Sequence, residues 1–398
     1  MPNKIAIIGG GFGGVYTLLE LQKRLKNEEI YIFNKESDFV FTPLLHEAAT
    51  GGVSTDNIVV PIRSFIKSCN VKFIKDAVTN IDPVTKTISA TCCTFNFDYL
   101  VIATGSDSNT HGIEGVAKHC LFLKNIDDAL AIKRKIISNL EMYCINREPS
   151  LLSFTVIGGG PTGVELAFEI DEFISTTLTK HFRDISIGEH LRVNLVCSSE
   201  RILSSMPESM QEEAEKMLKS SKINFINKSE VTAISQNTVT LNTGKVLNTS
   251  AVIWCAGVRP VLPNMLGDLN KLDVNPDLTI GDYKHIFALG DCINYGTQVP
   301  MDAQAAVKQA TFVAKSLSYA IQGKTNTAVF NYQAAGQLIS LGRWSAAGVI
   351  MGLPIKGAFA WWAWRTIYLI RFPSASKRFK IMLDWTVSIF SERDMSNI

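Results

Sequence analysis

The sequence predicts an α/β fold with two doubly wound parallel sheets, the second domain inserted in the first, and a C-terminal helical segment. Short apolar runs lead into nearly identical glycine-rich turns at residues 9–14 and 158–163, and each turn opens a helical pattern. Buried strands that end in glycine close the two units at 97–105 and 251–257. A further apolar strand at 286–289 follows the second unit but completes the first, so we expect the first domain to be discontinuous.

The remaining elements alternate between strand and helix, as βαβ units do. In chain order we expect strand 4–8, helix 12–26, strand 29–33, strand 154–157, a helix from 162, strand 192–197 and helix 303–321. The predicted domains are 1–112 with 285–335, then 113–284, and last a C-terminal region, 336–398.

The two glycine turns predict that Rossmann-like units bind dinucleotides. In each turn the first glycine permits a tight turn, the second lets backbone N–H groups approach a pyrophosphate, and the third lets the helix pack on the strand. These glycines are Gly9, Gly11 and Gly14 in the first turn and Gly158, Gly160 and Gly163 in the second. Two copies in matching context indicate that one chain binds two dinucleotides, usually to transfer electrons between them. The alternative is that one copy is a decayed duplication without a ligand.

Composition narrows the class of protein. The chain has 398 residues, a net charge of +2 and a mean hydropathy of +0.13, which is typical of a globular protein slightly more apolar than average. This charge argues neither for nor against nucleic acid, and we expect no nucleic acid partner. The eight cysteines form no Cys-x-x-Cys or Cys/His array, so we expect no metal site. With no secretory or transit signal, the sequence predicts a reduced protein that faces the cytoplasm.

The C-terminal region has the pattern of a segment lying in a bilayer surface. It carries five of the six tryptophans, and its eight basic residues outnumber its three acidic ones. Residues 357–370 are apolar apart from Arg365 and Thr366, and 376–391 form an amphipathic helical pattern. Trp385 stands at the boundary of its two faces, where we expect an indole to lie at a membrane interface. Both segments are shorter than the ~20 residues that a spanning helix needs, so we expect 356–390 to bind the lipid surface. The alternative is a dimerisation face or a third core layer.

Several motifs together resemble a family of two-dinucleotide flavoproteins, the type II NADH:quinone dehydrogenases. The resemblance covers essentially the whole chain, and the Trp-rich basic tail is similar to the membrane-anchoring C-terminus of that family. The motifs are Phe41–Gly51, Gly158–Glu165, Ala288–Cys292 and Ala303–Gln309, with Ala103–Ser106 shared more widely among flavin reductases.

The resemblance implies that the first domain holds FAD without a covalent bond. Asp291 would accept hydrogen bonds from the ribityl region, although it could instead cap the next helix. The ribose position at the end of the second strand is normally acidic and is Asn34 here, which can still bond a ribose hydroxyl. The other residues implied at the cofactor are Gly9, Gly11, Phe12, Gly14, Lys35, Thr42, Pro43, Val78, Ala103, Thr104, Gly105 and Gly290.

The resemblance also implies that the second domain binds NADH, with NADPH as the alternative. The family usually has Glu at the position of Cys197, where a carboxylate would pair with the 2′-hydroxyl of NADH and repel a 2′-phosphate. Arg201 nearby would favour a phosphate, or would be only a solvated charge. The remaining residues implied at this cofactor are Gly158, Gly160, Thr162, Gly163, Ala256 and Gly257.

The implied catalytic and quinone-binding residues come from three segments. Glu165 resembles the family's glutamate near the flavin–nicotinamide junction, although a helix dipole would also favour a carboxylate there. Gln304 and Lys308 lie on one helix face, and Lys308 stands where the family commonly has Gln; it could stabilise a quinol anion or reach lipid phosphate. Glu165, Gln304 and Lys308 are the implied catalytic residues, and Leu45, His46, Gln304, Lys308 and Gln309 the implied quinone-binding residues.

The implied function is transfer of two electrons from NADH, or NADPH, through FAD to a membrane quinone, without proton pumping. The enzyme would be a homodimer, peripheral on the cytoplasmic face of the inner (plasma) membrane. Sulfide:quinone oxidoreductase is the nearest enzymatic alternative and needs cysteines flanking the flavin. A slowly turning over redox-sensing protein that binds FAD and NAD(P)H is the alternative outside enzymes.

Overall fold

The computed structural model describes residues 1–182, 187–264, 272–296, 299–324, 327–390 and 393–395. Residue 391 of the predicted amphipathic helix lies outside these ranges, as do the side chains of Ile389 and Phe390.

The described residues form a regular alternation of strands and helices along the chain. The strands are β1 (Lys4–Ile8), β2 (Glu29–Asn34), β3 (Asp38–Val40), β4 (Val59–Pro61), β5 (Val71–Lys75), β6 (Val78–Asp82), β7 (Thr87–Ala90), β8 (Thr94–Asn96), β9 (Tyr99–Ile102), β10 (Ser106–Ser108), β11 (Cys120–Leu121), β12 (Ser153–Ile157), β13 (Arg192–Val196), β14 (Ile223–Ile226), β15 (Val231–Ile234), β16 (Thr238–Leu241), β17 (Val246–Asn248), β18 (Ala251–Trp254), β19 (Val258–Pro260), β20 (Leu272–Asp273), β21 (Thr279–Ile280), β22 (Tyr283–Ala288), β23 (Ile293–Asn294), β24 (Gly336–Ser340), β25 (Ala346–Ile350) and β26 (Leu353–Lys356). The helices are α1 (Phe12–Arg24), α2 (Leu45–Ala48), α3 (Val116–His119), α4 (Ile126–Asn146), α5 (Pro161–Glu172), α6 (Thr179–His181), α7 (Ile187–His190), α8 (Glu208–Ser220), α9 (Ala303–Ile321), α10 (Gly357–Arg371) and α11 (Ala375–Phe390).

The chain divides into two compact units, each made of three separate stretches of sequence. Unit 1 comprises 1–40, 59–107 and 258–334, and unit 2 comprises 41–58, 108–257 and 335–398. The first domain is thus discontinuous, with the bulk of the second inserted in it. The bounds differ from the expected domain limits, because 258–284 belongs to unit 1 and the C-terminal region packs within unit 2.

The core of unit 1 is a six-stranded sheet in the order β21-β22-β9-β1-β2-β5. Its strands are parallel except for the edge pair β21–β22, and β1 is held between β2 and β9. Ile5, Ile7 and Ile30 are fully buried in it, as the apolar runs of a doubly wound sheet require. Helices α1 and α9 pack against each other, and α9 has the predicted bounds 303–321.

Unit 2 contains a second parallel sheet, in the order β11-β18-β12-β13-β14. As in unit 1, the strand before the glycine turn (β12) lies between its two neighbours, β13 and β18. An antiparallel sheet, β15-β16-β17, covers part of the same unit. Both parallel sheets and the helices that follow their glycine turns confirm the predicted α/β fold with two Rossmann-like domains.

The C-terminal region adds a three-stranded antiparallel sheet, β24-β25-β26, and two helices to unit 2. The helices α10 and α11 confirm the predicted helical segments, whereas the sheet was not predicted. Trp385 was expected at a membrane interface, and this is wrong: only 4% of the residue is exposed, and it packs 6.0 Å from the Trp364 ring. Within the described residues no helix is both long and apolar enough to cross a bilayer.

Candidate functional site

The first glycine turn joins β1 to α1, and its three motif glycines differ in the space available for an added Cβ. Gly9 has φ +109°, and a Cβ there would lie 2.2 Å from the Ala103 carbonyl oxygen. A Cβ on Gly14 would lie 1.8 Å from the Gly9 carbonyl oxygen, so both positions admit only glycine. Gly11, the N-cap of α1, has no atom within 4 Å of an added Cβ. Protein packing therefore does not require glycine at this position, and open space stands above the helix N-terminus.

The second glycine turn repeats this arrangement residue by residue. Gly158 has φ +122°, and its Cβ would lie 2.8 Å from the Cys255 carbonyl oxygen. A Cβ on Gly163 would lie 2.0 Å from the Gly158 carbonyl oxygen. Gly160, the N-cap of α5, again has nothing within 4 Å. Each parallel sheet thus presents a helix N-terminus with free space at its middle glycine, which is suited to an anion.

Asn34, at the end of β2, is hydrogen-bonded to the first turn. Its Oδ1 accepts from the Gly10 N–H at 2.9 Å, and its Nδ2 donates to the Glu36 carbonyl at 2.9 Å. A Cβ at Gly10 would lie 2.7 Å from the Asn34 side chain. The predicted ribose position and the predicted pyrophosphate turn are therefore adjacent, and Lys35 beside them is exposed.

Asp291 lies in a 3-10 turn after β22 and faces the segment after β9. The Ser106 hydroxyl donates to its Oδ2 at 2.7 Å. The buried Gln309 of α9 accepts from the Gly290 N–H at 2.7 Å, which holds the same turn in place. Gln309 thus bonds to the backbone of the turn that contains Asp291.

The other predicted residues of α9 are half-buried. Lys308 donates to the Gln333 carbonyl and lies 5.5 Å from the centroid of the Tyr332 ring. Gln304 is one helical turn before it, on the same face of α9.

In unit 2, the predicted specificity position at the end of β13 is buried. Cys197 lies so close to the second turn that a Cβ on Gly159 would be 2.3 Å from its Sγ. Arg201 is bound by acidic residues of α8. Its Nε and Nη2 donate to the two oxygens of Glu215 at 2.7 and 3.1 Å, and its Nη1 lies 3.5 Å from Glu208.

His46 of α2 and Glu165 of α5 form a buried pair. His46 Nδ1 lies 3.6 Å from Glu165 Oε2, and the side chains are 4% and 12% exposed. The other oxygen, Glu165 Oε1, accepts from the Ser340 N–H at 3.1 Å. Burial raises the pKa of Glu165 above its ordinary value, and the nearby His46 and the Ser340 N–H only partly offset this rise.

The sequence reasoning missed a buried ionic cluster around this pair. Glu47 of α2 accepts from Trp385 Nε1 at 2.6 Å and lies 3.6 Å from an Arg365 nitrogen. Arg393 lies 2.5 Å from Glu169 and 2.8 Å from Glu172. We call these five charged residues the glutamate–arginine cluster: Glu47, Glu169, Glu172, Arg365 and Arg393. A small cavity of about 40 Å³ is lined by all five. The spacing of acidic residues at 165, 169 and 172 on one helix was the signal that could have found it.

The structure groups the remaining predicted residues by unit. Phe12, Val78, Ala103, Thr104 and Gly105 lie in unit 1 with the first turn. Thr42, Pro43 and Leu45 lie in unit 2, as do Thr162, Ala256 and Gly257 near the second turn. Within the described part of the chain, no group of three or more His, Cys, Asp or Glu side chains is placed to hold a metal ion.

Comparison with known proteins gives matches to both parts of the chain. Residues 3–310 match the family model described as pyridine nucleotide-disulphide oxidoreductase, and residues 335–394 match the NDH2 C-terminal domain. The type II NADH:quinone oxidoreductase Ndh of Mycobacterium tuberculosis is 29% identical over 98% of this chain and 89% of its own length.

Two solved structures share the fold. NDH2 from Plasmodium falciparum, in complex with NADH, superposes with a TM-score of 0.90 at 20% identity and covers 100% of both chains. The sulfide:quinone oxidoreductase of Aquifex aeolicus superposes with a TM-score of 0.76 at 19% identity, covering 98% of this chain and 96% of its own. With both family models matched, this chain belongs to the pyridine nucleotide-disulphide oxidoreductases and, by its NDH2 C-terminal domain, to the type II NADH:quinone oxidoreductases among them.

Proposed function

We propose that the chain is a peripheral membrane flavoenzyme that transfers two electrons from NADH through FAD to a membrane quinone, without pumping protons. One observation carries the proposal. Both glycine turns have an outer pair of glycines forced by contacts with neighbouring backbone and a middle glycine, Gly11 or Gly160, with free space above it. A glycine that no protein atom requires, at a helix N-terminus, is what close approach of a pyrophosphate needs.

Unit 1 fits FAD. The phosphates would lie over the Gly11 turn, and Asn34, fixed by Gly10, would hydrogen-bond a ribose hydroxyl. Asp291 is held by Ser106 and retains acceptor capacity for ribityl hydroxyls. When bound, FAD supplies the acceptance of a hydride and the return of two electrons; the protein supplies position and electrostatics.

Unit 2 would bind the nicotinamide dinucleotide at the Gly160 turn. Cys197 at the ribose position offers no carboxylate, so it neither selects NADH by a hydrogen bond nor repels the phosphate of NADPH. Arg201 is already paired with Glu215 and Glu208, which weakens it as a phosphate ligand. We therefore propose NADH as the donor, with NADPH tolerated.

At the quinone end, the chain supplies groups that hold protons and charge. We propose that Leu45 and His46 of unit 2 contact the apolar part of the quinone. As a separate proposal, Gln304 and Lys308 of unit 1 supply polar groups for a quinone oxygen. Glu165 has a raised pKa, so its carboxyl holds a proton at higher pH than an exposed glutamate does. Together with His46 at 3.6 Å, it would hold a proton that quinone reduction consumes.

The exposed apolar residues of the last two helices support binding to a lipid surface. Seven large side chains of α10 and α11 are exposed: Phe359, Trp362, Ile370, Phe379, Met382, Leu383 and Val387. Basic residues interrupt them, among them Lys380 and Arg371, which suits anionic lipid headgroups. We propose attachment on the cytoplasmic face, as a homodimer.

The cysteines argue against sulfide as the donor. That chemistry needs thiolates beside the flavin, and burial raises the pKa of both Cys120 and Cys255 to about 12. Burial also raises the pKa of Cys292, the residue after Asp291. These thiols stay protonated and are poor nucleophiles at neutral pH.

Steady-state turnover of the FAD-loaded protein tests the proposal. NADH, NADPH and sulfide are offered separately as donors, with a short-chain quinone as acceptor. We expect NADH to support rapid quinone reduction and sulfide to support none. Sulfide oxidation without NADH would overturn the proposal in favour of the sulfide enzyme. A stable flavin–nicotinamide complex without quinone reduction would favour a redox sensor.

A further inference from the structure

Helix α2 is too short to be stable without contacts to other parts of the protein. It spans Leu45–Ala48, a single turn, and isolated turns of helix are unstable in water. Its fixed position therefore depends on contacts with other parts of unit 2. Two residues of the C-terminal region bind Glu47. Trp385 donates to one of its carboxylate oxygens at 2.6 Å, and an Arg365 nitrogen lies 3.6 Å from the other.

The end of the α2 segment is held by residues even later in the chain. Arg393 Nη1 donates to the Thr50 hydroxyl oxygen at 2.9 Å, and the Asp394 N–H donates to the Gly51 carbonyl at 3.4 Å. Asp394 is itself fixed by Lys133 of α4 at 2.8 Å. A stretch of chain close to the C-terminus thus closes over the segment after α2.

The Arg393 guanidinium also binds two glutamates of α5. Its Nη1 lies 2.5 Å from Glu169 Oε2, and its Nη2 lies 2.8 Å from Glu172 Oε1. The Arg393 side chain is only 13% exposed, so water competes little for its bonds to Glu169 and Glu172. A planar guanidinium with several donors can bridge three acceptors at once, which a lysine ammonium on a single atom does less well.

Arg393 links the α2 segment to α5 one helical turn after His46 in the first and one turn after Glu165 in the second. Thr50 lies four residues after His46 and also bonds to the His46 carbonyl at 3.2 Å. Glu169 lies four residues after Glu165, one turn along the same face of α5. The Thr50 hydroxyl also donates to Glu169 Oε2 at 3.1 Å, so this direct bond and the Arg393 bridge together fix the distance between the elements that carry His46 and Glu165.

The carboxylates of the glutamate–arginine cluster need the positive charge of Arg393. Glu47 and Glu169 are buried, and the Glu172 side chain is only 10% exposed. These three glutamates face two arginines, and Glu165 adds a fourth carboxyl close by. Burial is the largest influence on the pKa of Glu169 and raises it, but the charges of Arg393 and His46 and the hydrogen bonds from Arg393 and Thr50 together leave that pKa below its ordinary value. Without Arg393, Glu169 and Glu172 would lose their shared cation and would have to move apart or take up protons.

We propose that Arg393 is a positioning residue for the quinone step: it clamps α2 to α5 and so fixes His46 against Glu165. The inference rests on the proposed function, because it assigns Arg393 to the site that the proposal gives to the quinone. It predicts that the C-terminal end of the chain contributes to catalysis separately from any binding to lipid.

The test compares Arg393→Met, Arg393→Lys and wild type as FAD-loaded, full-length proteins. Arg134→Met is the matched control, since Arg134 is an exposed arginine of α4 in the same unit, and its Nε donates to the Leu130 carbonyl. Three quantities are measured: the rate of flavin reduction by NADH, kcat and KM for a short-chain quinone, and amide hydrogen exchange of residues 45–52. Flotation with anionic vesicles is followed in parallel.

For Arg393→Met we expect flavin reduction and vesicle binding within about twofold of the control, but a loss of about tenfold or more in kcat/KM for quinone, as misplacement of a catalytic group produces. Exchange at 45–52 should be faster, while Arg393→Lys should recover part of both effects. If Arg393→Met does not fold, Arg393→Met combined with Glu172→Gln, which balances the charge, takes its place.

Quinone kinetics within twofold of the control, together with unchanged exchange at 45–52, would overturn the inference. An equal loss of flavin reduction and quinone reduction would also overturn it, because it would mark a general structural defect. Failure of wild type to reduce quinone with NADH would instead refute the proposed function, and hydrogen exchange would still decide whether Arg393 clamps α2.

Discussion

His46 Nδ1 lies 3.6 Å from Glu165 Oε2, although 119 residues separate them along the sequence. Burial favours the neutral form of the glutamate, whereas a protonated histidine beside it would favour the charged form. The protonation of Glu165 therefore depends on two opposing influences, its burial and its neighbour His46. Two consequences can be measured, one in stability and one in catalysis.

We expect Glu165→Gln to become more stable relative to wild type as pH rises from about 5 to about 8. The folded-state pKa of Glu165 is raised, so the folded protein binds this proton more tightly than the unfolded chain. The stabilisation is fully present below the unfolded pKa and is lost as pH rises through the folded pKa. Glutamine keeps an acceptor for the Ser340 N–H and has no proton to lose. Thermal unfolding at several pH values measures the difference.

The matched control for this experiment is Glu141→Gln, an exposed carboxyl on α4 of the same unit. Its difference in melting temperature from wild type should stay constant over the range. Quinone reduction is measured in parallel, and a Glu165→Gln protein with an unaltered pH profile for that step would remove Glu165 from the proton-holding role.

Local chemistry explains which parts of the molecule the sequence could predict. The glycine turns and helix α9 depend on residues that are neighbours in sequence, namely glycines at fixed spacing and an apolar period. Asp302 before α9 caps it by accepting from the Ala305 N–H at 2.7 Å, a start signal readable from sequence. These elements were predicted with bounds close to those observed.

The parts that were missed depend on pairs far apart in sequence. Arg393 meets Glu169 across 224 residues, and Trp385 meets Glu47 across 338. Nothing near Trp385 distinguishes an indole that donates to a buried carboxylate from one at a lipid interface, so the amphipathic pattern was misinterpreted there. The β24–β26 sheet was missed for a related reason, because short strands containing glycine and proline carry weak local signals.

The three glycines of the first turn should respond differently to alanine. Gly9→Ala and Gly14→Ala place a Cβ within 2.2 Å of backbone oxygens, so we expect each to destabilise the protein by about 1–3 kcal/mol or more. Gly11→Ala meets no protein atom within 4 Å and should change the stability of the flavin-free protein by less than about 0.5 kcal/mol. It should nevertheless lower FAD affinity by about tenfold or more, near 1.4 kcal/mol. Urea unfolding and flavin titration measure the two effects.

Gly160→Ala is the internal control for that series, because it repeats the change in the second turn. It should leave the flavin content as in wild type and weaken NADH binding. Full FAD affinity in Gly11→Ala would contradict the assignment of the first turn to the pyrophosphate.

Cys197→Glu should shift the preference between nicotinamide cofactors toward NADH. A carboxylate at the end of β13 can accept from the 2′-hydroxyl of NADH and repels the 2′-phosphate of NADPH. We expect the ratio of kcat/KM for NADH to that for NADPH to rise about tenfold, which corresponds to about 1.4 kcal/mol. Flavin reduction by each cofactor, followed by stopped flow, gives this ratio.

Cys197→Ala controls for the loss of the thiol, which packs against the Gly159 turn. Its ratio should match wild type. An unchanged ratio in Cys197→Glu, with the protein folded and FAD bound, would show that specificity is set at another position.

Substitution of exposed apolar residues should separate lipid binding from folding better than removal of the C-terminal region does. Deleting that region would also remove Trp385 and Arg393, whose buried contacts hold α2 and α5, so loss of sedimentation with membranes would have two causes. The triple variant Phe359→Ser, Ile370→Ser and Phe379→Ser changes only exposed side chains. Each apolar side chain that leaves lipid costs about 1.5–3 kcal/mol, so binding to anionic vesicles should fall by well over about tenfold.

Its melting temperature and its NADH-dependent flavin reduction should stay at the wild-type values. Val84→Ser, an equally exposed apolar residue of unit 1, is the control and should bind vesicles as wild type does. If the triple variant still binds vesicles like wild type but changes its sedimentation coefficient in detergent-free buffer, the exposed face of α10 and α11 joins two copies of the chain, and the lipid-binding assignment fails.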